Sequence, residues 1–232
     1  MRRMVFLLTT LTIFVATAVS QVNDSGDDVI PSSVHAIHSQ LFDDRPEGLL
    51  VERVLRLGEG SVFRERGALF IDPNNPPTAK KSITRMICSS DVVAIVLIKR
   101  GESSFSSKRN WVFTDYLASV QQVIKDDKSN SLPVNRNVVI ARSGGVVEVT
   151  PGKRIRVEDE SSPKLQLGKQ YVVFLKSVPG SGQYVSYGSE FNFFAQRLHP
   201  VFPDPFLDEI GRGYELSDLV DIAKSCEEKS TT

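Results

Sequence analysis

The sequence predicts a mainly β fold of the α+β class, a small closed or partly open antiparallel barrel with helices before and after it. Three observations carry this expectation. From Asp91 to Gln196 short apolar or alternating runs follow one another, clusters of turn-forming residues fall between them, and outside this stretch the apolar residues recur at helical spacing. One of the runs is long, and a strand of that length coils rather than staying flat, which favours closure of a small sheet on itself.

In chain order, Met1–Met4 carries Arg2 and Arg3, Val5–Val15 is apolar apart from three threonines, and Ala18-Val19-Ser20 offers small residues where a signal peptidase reads. Residues 1–20 are therefore expected to be a signal peptide cleaved before Gln21, leaving a secreted or periplasmic/extracellular protein. An uncleaved anchor is the alternative, but Val5–Val19 is shorter than the ~20 apolar residues a span requires. No other stretch is apolar enough to span a membrane.

Residues 21–87 read as a helical and irregular extension. Val34, Ile37, His38 and Leu41 follow helical spacing after Pro31-Ser32-Ser33, and Leu50, Val54 and Leu57 suggest a second helix closed by Gly58 and Gly60. Val62–Ile71 is either a hairpin or an irregular extended segment. Asp72-Pro73-Asn74-Asn75-Pro76-Pro77 is a break, after which Ala79, Ile83, Met86 and Ile87 form an amphipathic set capped by Thr78. The boundary before the barrel, assigned to 88–196, lies near Pro76–Thr78.

Within the barrel the expected strands are Val92–Leu97, Val112–Ile124, Asn137–Arg142, Val146–Val149, Lys153–Val157, Tyr171–Leu175, Tyr184–Tyr187 and Phe191–Phe194. In the long one, Val112, Thr114, Tyr116, Ala118 and Val120 share one face while Trp111, Phe113, Asp115, Leu117 and Ser119 share the other. Its apolar phase slips near Gln121-Gln122, where a bulge is expected. Turns fall at Asp126-Asp127, Gly144-Gly145, Pro151-Gly152, Ser161-Ser162-Pro163 and Pro179-Gly180-Ser181-Gly182.

Residues 197–232 read as a proline-containing linker, with Pro200, Pro203 and Pro205, leading to a terminal helix. Leu216, Leu219, Val220, Ala223 and Cys226 recur on one helical stripe, so Cys226 faces the body of the protein. Cys88 is its sole companion in the chain, and an even count in an exported protein favours a disulfide between them; two buried free thiols are the alternative. Two cysteines do not make a structural zinc site, which takes four ligands.

The formal net charge is zero, yet its distribution is uneven. Residues 91–177 hold 14 basic and 9 acidic side chains, whereas 178–232 hold 4 and 9. Either the acidic end packs on the basic middle, or the basic middle meets an anionic partner.

The succession Ser90-Asp91-Val92-Val93, Phe113-Thr114-Asp115-Tyr116 with Val120 and Val123-Ile124-Lys125, Gly144-Gly145, and Leu167–Leu175 resembles a group of secreted bacterial domains of uncharacterised role. Their barrels are similar to the OB-type fold of netrin and tissue-inhibitor-of-metalloproteinase modules. The resemblance covers about Cys88 to Gln196 and implies an OB-like antiparallel architecture. It does not extend to the inhibitory zinc-chelating Cys-X-Cys start, since Cys88 is internal and followed by Ser89-Ser90.

Chemistry-bearing residues are sparse. His35 and His38 lie three apart on a helix, within reach of Asp43 or Asp44, but the spacing lacks a convincing third ligand and reads as surface or packed histidines, so no metal is expected. His199 beside Pro200 reads as a loop residue, Glu158-Asp159-Glu160 as a solvated loop tip, and Gly180-Ser181-Gly182 as a hairpin turn. No nucleophile elbow, phosphate loop or dinucleotide fingerprint occurs, so no catalytic residue and no cofactor is assigned.

The expected ligand surface is the loop between the first two barrel strands, with Lys99, Arg100, Phe105, Lys108, Arg109 and Trp111. Cations beside exposed aromatics suit an acidic polysaccharide or an acidic protein surface, and nucleic acid is not expected outside the cell. The function expected is an exported, non-enzymatic binding or protein-interaction module. A secreted hydrolase or metal-dependent enzyme using the flanking His and Asp residues is the second reading.

Overall fold

A computed structural model of the chain describes residues 29–43, 62–65, 79–126, 132–159, 164–186, 191–200 and 214–230. The signal-like segment, the Leu50–Leu57 helix, the break at 72–77 and the prolines at 203 and 205 lie outside these residues. The described elements are α1 (Ser32–Leu41), β1 (Val62–Glu65), α2 (Ala79–Ser89), β2 (Val92–Phe105), β3 (Val112–Lys125), β4 (Asn137–Ser143), β5 (Gly145–Thr150), β6 (Lys153–Asp159), β7 (Gln170–Val178), β8 (Gln183–Ser186), β9 (Phe191–Phe194), β10 (Arg197–Pro200) and α3 (Leu216–Ser230). Among the described residues no helix is long and apolar enough to cross a membrane.

Seven strands form a mixed sheet in the order β10-β9-β7-β2-β3-β4-β8, and β8 also pairs with β7. Strands β7, β2, β3, β4 and β8 thus close a hydrogen-bonded ring of five. The expectation of a wholly antiparallel arrangement fails for a topological reason. Around a ring with an odd number of strands the direction cannot alternate at every step, so at least one neighbouring pair must run parallel. That pair is β4 and β8, with Ile140 opposite Tyr184 and Ala141 opposite Val185. A second sheet, β1-β6-β5, holds a further parallel pairing between β1 and β6.

The period-2 alternation decides what the ring encloses. Val92, Ala94, Val96 and Ile98 of β2 turn inward to meet Tyr116, Ala118 and Val120 of β3, Val138 and Ile140 of β4, and Tyr171, Val173 and Leu175 of β7. Two of the interior tyrosines meet backbone N–H groups of the segment 164–169: the Leu165 N–H donates to the Tyr116 hydroxyl at 3.2 Å and the Gln166 N–H to that of Tyr171 at 2.9 Å. The opposite face of β2 and β7, with Val93, Ile95, Val172 and Phe174, is covered by Ile83 and Ile87 of α2 and Leu219 and Ala223 of α3. A disulfide joins Cys88, on the last turn of α2, to Cys226 of α3. Lys125 closes the same region by donating from Nζ to the carbonyls of Ile87, Cys88 and Ser90 at the end of α2, where helix carbonyls run out of intrahelical donors.

Strand β3 carries its expected irregularity. Its register against β2 steps from Gln122 to Val120, leaving Gln121 unmatched, and again from Lys125 to Val123. A third step falls at Lys99 of β2. Beyond it β2 does not end at Leu97 as the apolar run suggested but continues to Phe105, paired residue by residue with β3. The polar stretch Lys99–Ser104 hides this, because cross-strand pairing rather than side-chain apolarity holds it.

The segment read as the start of a linker forms β10, antiparallel to β9. Their turn places Ala195 at φ 52 and Gln196 at φ 63. Tight hairpin turns of this hand usually advertise themselves by Gly, Asn or Asp, and here neither position does. Pro200 is tolerated because β10 is the sheet edge.

The crossover from β4 to β5 passes close to the β2–β3 pair. Gly145 has φ 149, and a Cβ there would lie 2.5 Å from both Ser103 Oγ and Thr114 Oγ1. Those two hydroxyls are themselves hydrogen-bonded at 2.9 Å, so neither can swing away without loss. Gly145→Ala is expected to lower stability by about 2 kcal/mol or more. A urea midpoint unchanged from the parent protein would contradict this close approach.

Candidate functional site

The outward face of β3 carries Phe113, Asp115 and Leu117, with Val139 and Ala141 of β4 opposite the last two. Helix α1 lies over this face and runs against the direction of β3. Ile30 and Val34 pack on Leu117 and Val139. One turn further His38 reaches Asp115, and beyond the helix Phe42 stacks on Phe113 with ring centroids 5.2 Å apart.

At the centre of this contact the Asp115 carboxylate is fully buried and bridges two imidazoles. Its Oδ1 lies 2.7 Å from His38 Nδ1 and its Oδ2 2.7 Å from His35 Nδ1. A carboxylate in its ionised form only accepts, and toward that form each histidine presents an Nδ1–H. The two rings differ in surroundings. His38 is fully buried, and its Nε2 has no hydrogen-bond partner among the described residues. The His35 side chain is 34% exposed and stacks on Phe113 at 5.1 Å.

The histidine pair thus turns to a different acid from the Asp43 considered on sequence spacing, and Asp44 lies outside the described residues. Among the described residues no three His, Cys, Asp or Glu groups converge on a point that would hold a metal ion. Asp115 is the residue that sequence reasoning missed. A signal existed: an acid between Phe113 and Leu117 on one face of a strand contradicts that face unless something polar covers it.

Asp43 serves the β2–β3 hairpin instead. The Lys108 backbone N–H donates to its Oδ1 at 2.8 Å, the Ser107 hydroxyl donates to its Oδ2, and Asn110 Nδ2 donates to its backbone carbonyl at 2.7 Å. Burial works to raise the Asp43 carboxyl, but the Ser107 and Lys108 hydrogen bonds and the Lys108 charge outweigh it and hold it below the ordinary carboxylate value. Further bonds fix the tip: Ser107 N to the Ser39 carbonyl at 3.1 Å, Arg109 N to the Ser106 carbonyl at 2.8 Å, and the Ser106 hydroxyl to Asn110 Oδ1 at 2.6 Å.

The six residues expected to form one ligand loop are divided by this geometry. The loop proper is only Ser106–Trp111, between β2 and β3. Lys99 and Arg100 are exposed on the strand itself, with Arg100 Nε 2.7 Å from Glu102 Oε1. At ~3.4 Å per residue, Arg100 stands roughly 17 Å along β2 from Phe105. Trp111 is buried, not exposed, and its indole N–H donates to Ser143 Oγ at 2.8 Å. Phe105 is half-buried beneath the Arg109 guanidinium, 5.1 Å from its ring centroid. Arg109 holds φ 56, a left-handed conformation uncommon for a residue with a Cβ. What remains together and exposed is the pair Lys108 and Arg109 on a hydrogen-bonded tip.

His199 is exposed on β10 and Glu158 and Asp159 lie at the end of β6, with Glu158 accepting Arg156 at 2.7 Å. The ion pairs Arg100–Glu102, Arg156–Glu158 and Lys176–Asp91 lie inside the basic middle of the chain, and Arg197–Glu215 and Lys224–Asp221 inside its acidic end. No protein-family model matches the chain, and no curated protein matches it.

Proposed function

We propose that the chain is an exported binding module with an OB-like, netrin-type ring, which presents the β2–β3 tip to an anionic partner, an acidic polysaccharide or an acidic protein surface. The observation that carries this reading is the tip itself. Its backbone is tied by hydrogen bonds from Ser106 to Asn110 and to Asp43, while Lys108 and Arg109 stand exposed on it. Holding charged side chains on a preset backbone reduces the ordering cost of binding, and a left-handed non-glycine residue persists only where its surroundings impose it. The cross-linking disulfide accords with an oxidising compartment, as export requires.

A sulfated polysaccharide of defined length is the suitable first probe. Changing Lys108 and Arg109 together to Ser is expected to weaken its binding and to flatten the salt dependence, because two screened attractions are removed. The parallel change of Lys99 and Arg100 to Ser is expected to do less, since those residues lie along the strand and Arg100 already faces Glu102. Equal affinity and equal salt slope in the parent and the Lys108/Arg109 double variant would remove the tip as the binding surface.

A further inference from the structure

We infer, resting on the reading of the β2–β3 tip as a binding surface, that its acidic partner is a groove at the start of α3 on a second copy of this chain, so that copies associate head to tail. The net charge is zero, but 91–177 hold 14 basic and 9 acidic side chains and 178–232 hold 4 and 9. Opposite charges divided in this way meet either within one molecule or between two. For Lys108 and Arg109 the geometry selects the second. The groove has a volume of about 490 Å³, and its lining includes Gln122, Gln196, Glu215, Leu216, Val220 and Asp221. Gln122 stands ten residues beyond Val112 on β3, roughly 30 Å along the strand from the tip. Strand β3 is paired with β2 on one side and β4 on the other, which keeps it from folding the tip back. The two cations therefore reach such a groove only on another molecule.

The groove has the chemistry for this guest. Asp221 stands on its rim with a side chain 79% exposed, and Lys224 Nζ comes no nearer to its Oδ1 than 3.9 Å. Glu215 Oε1 meets Arg197 Nη2 at 3.0 Å and remains half exposed. Along α3, Asp218, Asp221, Glu227 and Glu228 outnumber Lys224 and Lys229, so the field over this face is negative. Leu216 and Val220 offer apolar wall to the methylene stems of long basic side chains. Phe194 adds an aromatic face beside the carboxylates. It is 74% exposed and lies opposite Arg197 in the β9–β10 pairing, and Arg197 in turn meets Glu215 on the rim. A guanidinium is drawn to such a surface both by charge and by cation–π contact.

A tip that enters a groove on the next molecule makes a heterologous contact. Each pair leaves one groove open at one end and one tip open at the other, so the association repeats rather than stopping at a dimer. The contact is small and largely polar, hence weak, transient and sensitive to salt.

Sedimentation velocity of the full chain over a range of concentrations tests the association. At low salt the mean mass is expected to rise with concentration above that of one chain, and to return to it near 1 M salt, where the Debye length is about 3 Å. Reversing the tip with Lys108→Glu and Arg109→Glu, or the groove with Glu215→Lys and Asp221→Lys, is expected to weaken association by about tenfold or more. An equimolar mixture of the two variants is expected to associate again, since each carries the surface that the other requires. If loss of the Glu215–Arg197 pair disturbs α3, the exposed Asp221→Lys alone serves as the groove variant. A chain that stays monomeric at low salt, or an assembly untouched by both reversals, would overturn the inference. Binding of a sulfated polysaccharide separates it from the proposed function: a monomeric chain that binds the polysaccharide through Lys108 and Arg109 leaves that function standing and removes the second copy as the partner. An assembly abolished by the reversed tip, in a chain that binds no polysaccharide, supports the copy as the acidic partner and removes the polysaccharide.

Discussion

Asp115→Ala is expected to cost about 3–5 kcal/mol, the range for removing one partner from a buried charged or charge-assisted pair. Two imidazole N–H groups lose their acceptor at once, and His38 is fully enclosed, so water does not replace it. The loss spreads along the α1 contact because the residues on either side act with it. Phe42 stacks on Phe113 and His35 stacks on the same ring, so a shift of α1 disturbs both contacts. Asp115→Asn should cost less, because one amide oxygen still accepts from one ring, but its NH₂ then opposes the other N–H unless that ring changes tautomer. Urea unfolding gives the global loss and exchange of the α1 amides the local one. A change below about 1 kcal/mol in both would mean that apolar packing of Ile30, Val34 and Phe42 holds the helix and the polar bridge is incidental.

What the chain discloses locally and what it withholds follow from the range of the interactions. Strands β3, β4, β7 and β9 are legible because alternation or a continuous apolar run sets each of them within a few residues. The bulge at Gln121 is legible for the same reason, as a slip in that alternation. The outer half of β2 is not, since Lys99–Ser104 owes its strand geometry to β3. The parallel β4–β8 pair follows from counting strands in a closed ring, a property of the assembly that no single segment carries. The His35–Asp115–His38 bridge joins positions 77 and 80 residues apart. Sequence spacing placed the two histidines on one helix face and offered them the nearest acids; which acid they meet depends on where α1 lands on the sheet. Trp111 was misjudged for a related reason. An aromatic beside cations at a strand start resembles an exposed platform until Ser143 on β4 is seen to accept its N–H.

Loss of the Cys88–Cys226 bond is the other change expected to be large. The cysteines are 138 residues apart, and the ring strands β2 to β8 all lie between them. In the chain-entropy model, releasing a loop of that length adds freedom to the unfolded chain worth about 5 kcal/mol, and removal of native disulfides typically costs 2–5 kcal/mol. The folded side also matters. Cys226 lies on the stripe with Leu219 and Ala223, against Val93, Ile95 and Phe174, so a hydroxyl in its place would be buried among apolar groups. Replacing both cysteines with Ala separates the effects: it removes the cross-link without adding a polar group. The double variant is expected to lose about 4 kcal/mol and to melt roughly 8–16 °C lower than the parent, with a steeper urea dependence because its unfolded chain is more open. A loss below about 1 kcal/mol would show that the packing of α2 and α3 on the β2–β7 face fixes the end of the chain by itself, and that the unfolded chain is already compact enough to leave the cross-link little to constrain.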